Sequence, residues 1–195
     1  MRRLFCLLLL VLLCAGCSTR GLNDRYASAT AQRLVSQSLD KLIKGLPETD
    51  LQRLAGQQVY LQSHFIEPLE VEFGEGSSLL EFADQRLRLE LLERYACRFV
   101  SSADKADYQL HFFFNAIGTD HDSLGLATPQ LYLPGLGTTQ IDFIAVEMFH
   151  GVSEGYYYLI DREQAETWRG ELQKARVRTD RLDLPFISIP LSTLD

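Results

Sequence analysis

Basic residues, cysteine and long hydrophobic runs are all scarce in this chain of 195 residues, and each shortage removes a class of function. Lys and Arg number 19 against 26 Asp and Glu, a formal charge of -7. Phosphate recognition depends on clustered cations, so no nucleic-acid partner is expected. The apolar run Leu4 to Leu13 is about half the roughly twenty residues that a bilayer-spanning helix needs. His-x3-His is missing and Cys-x2-Cys occurs only as Cys14-Ala15-Gly16-Cys17 in the N-terminal segment, which removes the usual signature of a zinc site, and the Gly-x-Ser-x-Gly at Gly151-Val152-Ser153-Glu154-Gly155 lacks the strand-to-helix elbow of a serine hydrolase. Gly135-Leu136-Gly137 is followed by Gln140 where a dinucleotide fingerprint needs glycine, so no nucleotide or other cofactor is expected. What the chain does have is an apolar content of 46% with only thirteen Gly and six Pro, enough to build a core and too few turn residues for a disordered or collagen-like chain.

The N-terminus reads as an address. Met1-Arg2-Arg3 is charged, Leu4 to Leu13 is apolar, and Ala15-Gly16-Cys17 is a small-residue processing site, the layout of a bacterial export signal. Leu12-Leu13-Cys14-Ala15-Gly16-Cys17 resembles the lipobox of bacterial lipoproteins, with Cys14 where the pattern usually has Leu. The resemblance implies a signal peptide over 1–16, acylation of Cys17, and a lipidated tether over 17–23. Ser18, rather than Asp, after the anchor implies sorting to the periplasmic face of the outer membrane. Several acyl chains, each buried methylene contributing about 0.8 kcal/mol, would hold such a protein firmly. Cys6 and Cys14 would leave with the signal and Cys17 would carry lipid, so Cys97 is the one remaining thiol and no intramolecular disulfide is expected. In Tyr95-Ala96-Cys97-Arg98-Phe99-Val100 it reads as a buried small hydrophobe. Loss of Arg2 and Arg3 takes the formal charge from -7 to -9.

Residues 24–195 read as one α+β domain. Leu34, Val35, Leu39, Leu42, Ile43 and Leu46 have helical spacing, with Asn23 or Asp24 as cap and Gly45 and Pro47 as the stop. Gln58 to Phe65 alternates as a strand. Leu79 to Tyr95 places Leu80, Ala83, Leu87, Leu91 and Tyr95 along one helical face. Cys97 to Ser101 and Asp107 to Ile117 read as strands, the second alternating Tyr108, Leu110, Phe112 and Phe114 with Gln109, His111, Phe113 and Asn115. Gly118 to Thr139 reads as a long Gly/Pro loop, Ile141 to His150 as a central strand, Gly151 to Gly155 as a turn, and Gly155 to Asp161 as the return strand. Trp168 to Arg178 fits helix or strand, and Arg181 to Asp195 reads as an extended tail. The expected architecture is a mixed or mostly antiparallel sheet of about five strands with two main helices on one face.

Asp50-Leu51, Leu54-Ala55-Gly56, Val59-Tyr60-Leu61, Ala106-Asp107-Tyr108, Gly118-Thr119-Asp120 and Pro134-Gly135 together resemble a family of uncharacterised bacterial lipoproteins, over roughly residues 28 to 180. The resemblance implies an envelope protein and carries no activity; it favours a strand over Trp168 to Arg178. More distantly, the order of elements looks like small periplasmic lipoprotein domains that assist secretion pores or cell-wall synthases.

Two stretches invite a functional reading. Asp120-His121-Asp122 could ligate a divalent ion or supply acid-base groups, although adjacent residues of an extended chain do not converge on one ion; the plainer reading is an Asx turn at Asp120 that stops the strand. Leu124, Leu126, Leu131, Tyr132, Leu133 and Leu136 bring much apolar surface into a segment rich in turn residues, either as a partner surface or as a lid on the core. His64, His111 and His150 read as hydrogen-bonded sheet residues, and Ser123 and Ser153 lack a nucleophile's setting. The leading expectation is a non-catalytic, lipid-anchored binding or assembly-accessory protein of the envelope. It would contact a protein partner through 118–139 or a sheet edge, alone or as an oligomer. The alternatives are a metal-dependent hydrolase using Asp120, His121 and Asp122, and a lipid or glycan carrier.

Overall fold

The computed structural model describes residues 29–65, 75–127, 131–133, 137–139, 142–184 and 187–191. The signal segment, Cys17, the tether and the Asn23/Asp24 cap lie outside the described residues, as does most of the link after Phe65.

The element order is α1 (Ala29–Lys44), α2 (Glu48–Leu51) with a 3-10 turn at Gln52–Leu54, β1 (Gln58–Phe65), α3 (Glu75–Tyr95), β2 (Arg98–Phe99), a 3-10 turn at Ala103–Lys105, β3 (Tyr108–Ala127), β4 (Leu131–Leu133), β5 (Gly137–Thr139), β6 (Asp142–Asp161), β7 (Thr167–Arg169), β8 (Gln173–Asp183) and β9 (Ser188–Pro190). The α+β class is as expected, with seven strands in the main sheet rather than about five. Their order is β2-β1-β3-β6-β8-β9, β7 pairing with β6, and β4-β5 forms a separate ribbon. The sheet is mixed: β1 runs parallel to β2 and β3, while β7 on β6 and β9 on β8 are antiparallel. No described helix is long and apolar enough to cross a membrane.

The chain forms two compact units. The larger takes Ala29–Asp120 and His150–Arg178; the smaller includes His121–Phe149 and Thr179–Asp195.

In the larger unit, α1 buries Leu34, Ser38, Leu39, Leu42 and Ile43, the i, i+4, i+5, i+8, i+9 set of a single helical face. Lys41 and Lys44 in its last turn complement the carbonyl end of the helix dipole. Helix α3 packs on both α1 and β1. Its Ala83, Leu87, Leu91 and Tyr95 are at most 6% exposed and meet Val59 and Leu61 of β1, Leu110, Phe112 and Phe114 of β3, and Tyr157 and Leu159 of β6 in one core. Arg86 donates to Asp40 at 2.6 Å and so ties the two helices together beside that core.

The opposite sheet face of the larger unit carries a row of half-buried rings set face to face. His64 stacks on Phe113 at 4.5 Å and 13°, Phe113 on Tyr156 at 5.2 Å and 9°, and Arg169 lies 5.1 Å over Tyr156. The ring faces are turned to one another, and the row shields its own sheet face.

Three expectations are corrected. Gly151 to Gly155 is no turn: β6 runs through it. A Cβ on Gly151 would lie 2.6 Å from the Leu34 carbonyl carbon, and one on Gly155 would lie 2.7 Å from Phe112 Cε1. These glycines admit a helix backbone and an aromatic ring against the strand. Gly118 to Thr139 is not a loop, because β3 continues to Ala127 and 131–139 contains the β4-β5 ribbon, Leu131 opposite Thr139. Cys97 to Ser101 reduces to the two-residue β2. Trp168 to Arg178 resolves as parts of two strands, β7 and β8, separated at Gly170 to Leu172. Trp168 pairs with Leu159, and Gly170 lets the Tyr157 ring lie on the backbone, where a Cβ would be 2.8 Å from Tyr157 Cδ1.

Candidate functional site

Because β3 continues through Asp120, His121 and Asp122, no Asx turn stops it there, and successive side chains leave on opposite faces. All three residues are exposed. Asp122 falls on the face opposite His121. In the smaller unit His121 stacks on Phe149 at 4.7 Å and 22°, and the Arg181 guanidinium lies 5.3 Å over the same ring. Arg181 also donates to Glu147 and, at 3.0 Å, to Asp183 Oδ2. Burial alone would raise the Asp183 carboxyl, but its hydrogen bond with Ser188 and the Arg181 charge outweigh burial and hold it below the usual carboxylate range. The ring and ion-pair set fixes strand neighbours to one another. Among the described residues, no group of three or more His, Cys, Asp or Glu is arranged to hold a metal ion.

The reactive side chains of the larger unit are likewise committed to the fold. The Cys97 thiol is fully buried, and burial pushes its pKa up, away from a nucleophilic thiolate. Ser153 lies 2.8 Å from Ser38 Oγ, both fully buried, and the Ser38 hydroxyl donates to the Val35 carbonyl at 3.0 Å. Ser153 therefore supplies the proton between the two hydroxyls, and its acceptor is a neutral hydroxyl, too weak a base to activate a nucleophile. His64 Nε2 and His111 Nδ1 are 3.4 Å apart, and burial followed by the His64 charge lowers the His111 pKa. The residues that carry the lipoprotein resemblance serve geometry. Asp50 accepts the Tyr157 hydroxyl at 2.8 Å, Gly56 takes a positive φ of 73° while its N–H reaches Tyr95, and Asp107 Oδ2 accepts the Gln58 N–H at 2.8 Å. The shallow polar groove beside Asp107 is lined by Lys105, Ala106, Arg162 and Glu163. Its Arg162 donates to the Asp104 carbonyl.

The feature without a structural explanation is exposed apolar surface. Of the eleven large hydrophobic side chains exposed among the described residues, seven belong to the smaller unit. Leu124 and Leu126 on β3 are each 72% exposed, Phe143 and Ile144 on β6 are 58% and 48%, and Ile189 on β9 with Ile187 and Leu191 on either side of it is exposed as a third group. Single exposed hydrophobics are ordinary, whereas concentration in one unit marks a contact surface. The sequence points to Leu124 and Leu126. Leu131, Tyr132 and Leu133 form β4, and their side chains lie outside the described residues. Phe143, Ile144 and the β9 group are missed, because an apolar run over 141–150 reads as a buried central strand. The alternation of Ile187, Ile189 and Leu191 with Ser188 and Pro190 was the available signal for the last of these.

Searches against protein-family models and against curated proteins return no match. Among solved structures, the chain is similar to the C-terminal domain of LpoB from Salmonella enterica, with a TM-score of 0.34 and 11% identity over 73% of this chain and 97% of that one. Likeness at that level carries no argument about family or function, which rest on the residues themselves.

Proposed function

We propose that this chain is a non-catalytic, lipid-anchored accessory protein of the bacterial cell envelope that binds another envelope component through its smaller unit. The observation that carries the reading is the concentration of exposed apolar side chains on β3, β6 and β9 of that unit. Removing Leu124, Leu126 and Ile144 from water is worth about 2 kcal/mol per fully covered side chain, so a few such residues suffice for the centre of an interface. The lipobox-like run ending at Cys17 supports a lipid anchor and an outer-membrane, periplasm-facing location, as does the resemblance to uncharacterised lipoproteins. The non-catalytic part is supported by the engagement of Cys97, Ser153, Asp107 and the histidine pair in packing and hydrogen bonds.

The test uses full-length protein in intact envelopes with a photocrosslinking side chain at Ile144. A specific adduct is expected, and Leu124→Ser with Leu126→Ser should abolish it while shifting stability by no more than about 0.5 kcal/mol, as for exposed substitutions generally. An adduct of equal yield in wild type and double variant would refute the binding surface. For the anchor, Cys17→Ser should stop palmitate incorporation and release the protein from membranes; continued membrane retention would refute it.

A further inference from the structure

Three exposed hydrophobic side chains outside the smaller unit, Phe82, Leu89 and Leu92, lie on α3 and are 43%, 49% and 48% exposed. The helix packs on α1 and β1 through Ala83, Leu87, Leu91 and Tyr95, and its 3.6-residue period puts the three exposed side chains on the opposite side. Helix α1 differs: its exposed residues include Gln32, Arg33, Lys41 and Lys44, and its apolar residues share one face. A helix apolar on two sides has two surfaces to cover, and the fold covers one of those of α3. Phe82, Gln85, Leu89 and Leu92 follow the i, i+3, i+7, i+10 spacing of a helix-pairing seam about 15 Å long.

The charges on its borders say what pairs with it. Glu81 lies on one border and Glu93 on the other, both exposed, at the positions whose charge selects a partner helix. No hydrogen bond or ion pair among the described residues engages either carboxylate. The arginines of α3 are held within the molecule: Arg86 by Asp40 at 2.6 Å, Arg88 by Asp84 at 2.5 Å and the Leu61 carbonyl at 3.0 Å, and Arg94 by Glu48 at 2.5 Å.

Three occupants suit an apolar seam of this length, and the flanking charge separates them. An anionic bilayer repels both carboxylates, and helices that lie on such surfaces carry Lys and Arg beside the apolar face. A second copy of α3 laid parallel brings Arg86 opposite Glu81 and Arg88 opposite Glu93, but Asp40 and Asp84 already hold those guanidiniums; laid antiparallel, it faces each arginine with its own copy. A helix of another protein, apolar along one side and bordered by Lys or Arg, answers both the seam and the two free carboxylates. We propose that α3 pairs with such a helix, Phe82, Leu89 and Leu92 entering its apolar side and Glu81 and Glu93 meeting its cations, as a second binding surface carried by the larger unit.

The experiment places a photocrosslinking side chain at Leu89 of the full-length protein in permeabilised cells and identifies the adduct by the mass of the crosslinked peptide. The expected adduct is a different protein, joined at a peptide with apolar residues at helical spacing and Lys or Arg beside them. Glu81→Gln with Glu93→Gln should lower its yield about threefold, and Glu81→Lys with Glu93→Lys about tenfold, as two exposed ion pairs are lost and then reversed. Raising salt from roughly 50 to 300 mM should lower the wild-type yield about threefold, and that titration needs no charge variant, so a misfolded variant leaves the proposal exposed. Leu124→Ser with Leu126→Ser should leave the Leu89 adduct in place; its loss there would overturn a second surface while leaving the first standing. An adduct with phospholipid, with a second copy or within the same chain overturns the proposal. So does a protein adduct indifferent to salt and to the charges at 81 and 93, and so does the absence of any adduct.

Discussion

Substituting Gly151 by alanine tests the packing of α1 against β6 more sharply than any truncation. A Cβ at that position would stand 2.6 Å from the carbonyl carbon of Leu34 and 3.0 Å from its Cβ, where ordinary contacts begin near 3.4 Å. The opposing group is helix backbone, which no rotamer change can move. The helix must therefore withdraw by about 1 Å, and a gap of that size forfeits a quarter to a half of each dispersion contact it opens. The side chains involved are Leu34, Leu39, Leu42 and Ile43, none more than 2% exposed. Overpacking of this kind costs about 1 to 3 kcal/mol, and the upper end is expected because a whole helical face is displaced. For a chain of this size, that lowers the thermal midpoint by roughly 6 to 12 °C. Gly118→Ala is the control: nothing lies within 4 Å of its Cβ, and stability should stay within about 0.5 kcal/mol of wild type. Urea unfolding followed by far-UV circular dichroism measures both. Equal stability of the two variants would refute the close approach of α1 to β6.

Three further outcomes follow from buried groups. Ser38→Ala strands the Ser153 hydroxyl, whereas Ser153→Ala leaves Ser38 still donating to Val35, so the first should cost about 2 kcal/mol and the second about 1 in equilibrium unfolding; the reverse order would contradict the assigned direction. His111, whose pKa burial and His64 lower, resists protonation in the folded state. Below its unfolded pKa of about 6.5 the unfolded chain binds more protons, so stability is full above that pH and declines as pH falls towards the folded value. His111→Gln should flatten the decline in unfolding free energy measured between about pH 7 and 5, and an unchanged slope would refute the assignment. Cys97 should resist iodoacetamide in the folded protein and react readily in urea, with labelling rate by mass spectrometry as the check.

The parts of the fold legible in the sequence are those where burial follows a local period. Leu34 to Ile43, Val59 and Leu61, and Leu87 to Tyr95 each present one face to a single core, and periodicity records that. Gly151 and Gly155 mislead because glycine marks turns and close approaches alike, and only the facing Leu34 and Phe112 distinguish them. The strand beyond Asp120 was hidden for a different reason. Residues 121–126 are exposed throughout, so no alternation of burial is imprinted on them, and the pairing of 131–133 with 137–139 depends on partners elsewhere in the chain. Of the candidate surface, Leu124 and Leu126 were legible as apolar residues in an unlikely setting. Phe143 and Ile144 were not, since a hydrophobic run on an exposed strand has the composition of a buried one.

The parallel ladder of β1 on β3 also governs how fast the chain can reach its native state. Its first contact, the Gln58 N–H on the Asp107 carboxylate, joins residues 49 apart with α3 between them. Loop closure of that length is paid before any ladder bond is gained, which places folding among the slower, non-local topologies. Helix α3 is the element that can form early and hold Leu61 and Leu110 within reach of each other. In a chevron analysis, Leu87→Ala in that helix should slow refolding, whereas Ile189→Ala on the late-pairing β9 should leave the refolding rate unchanged.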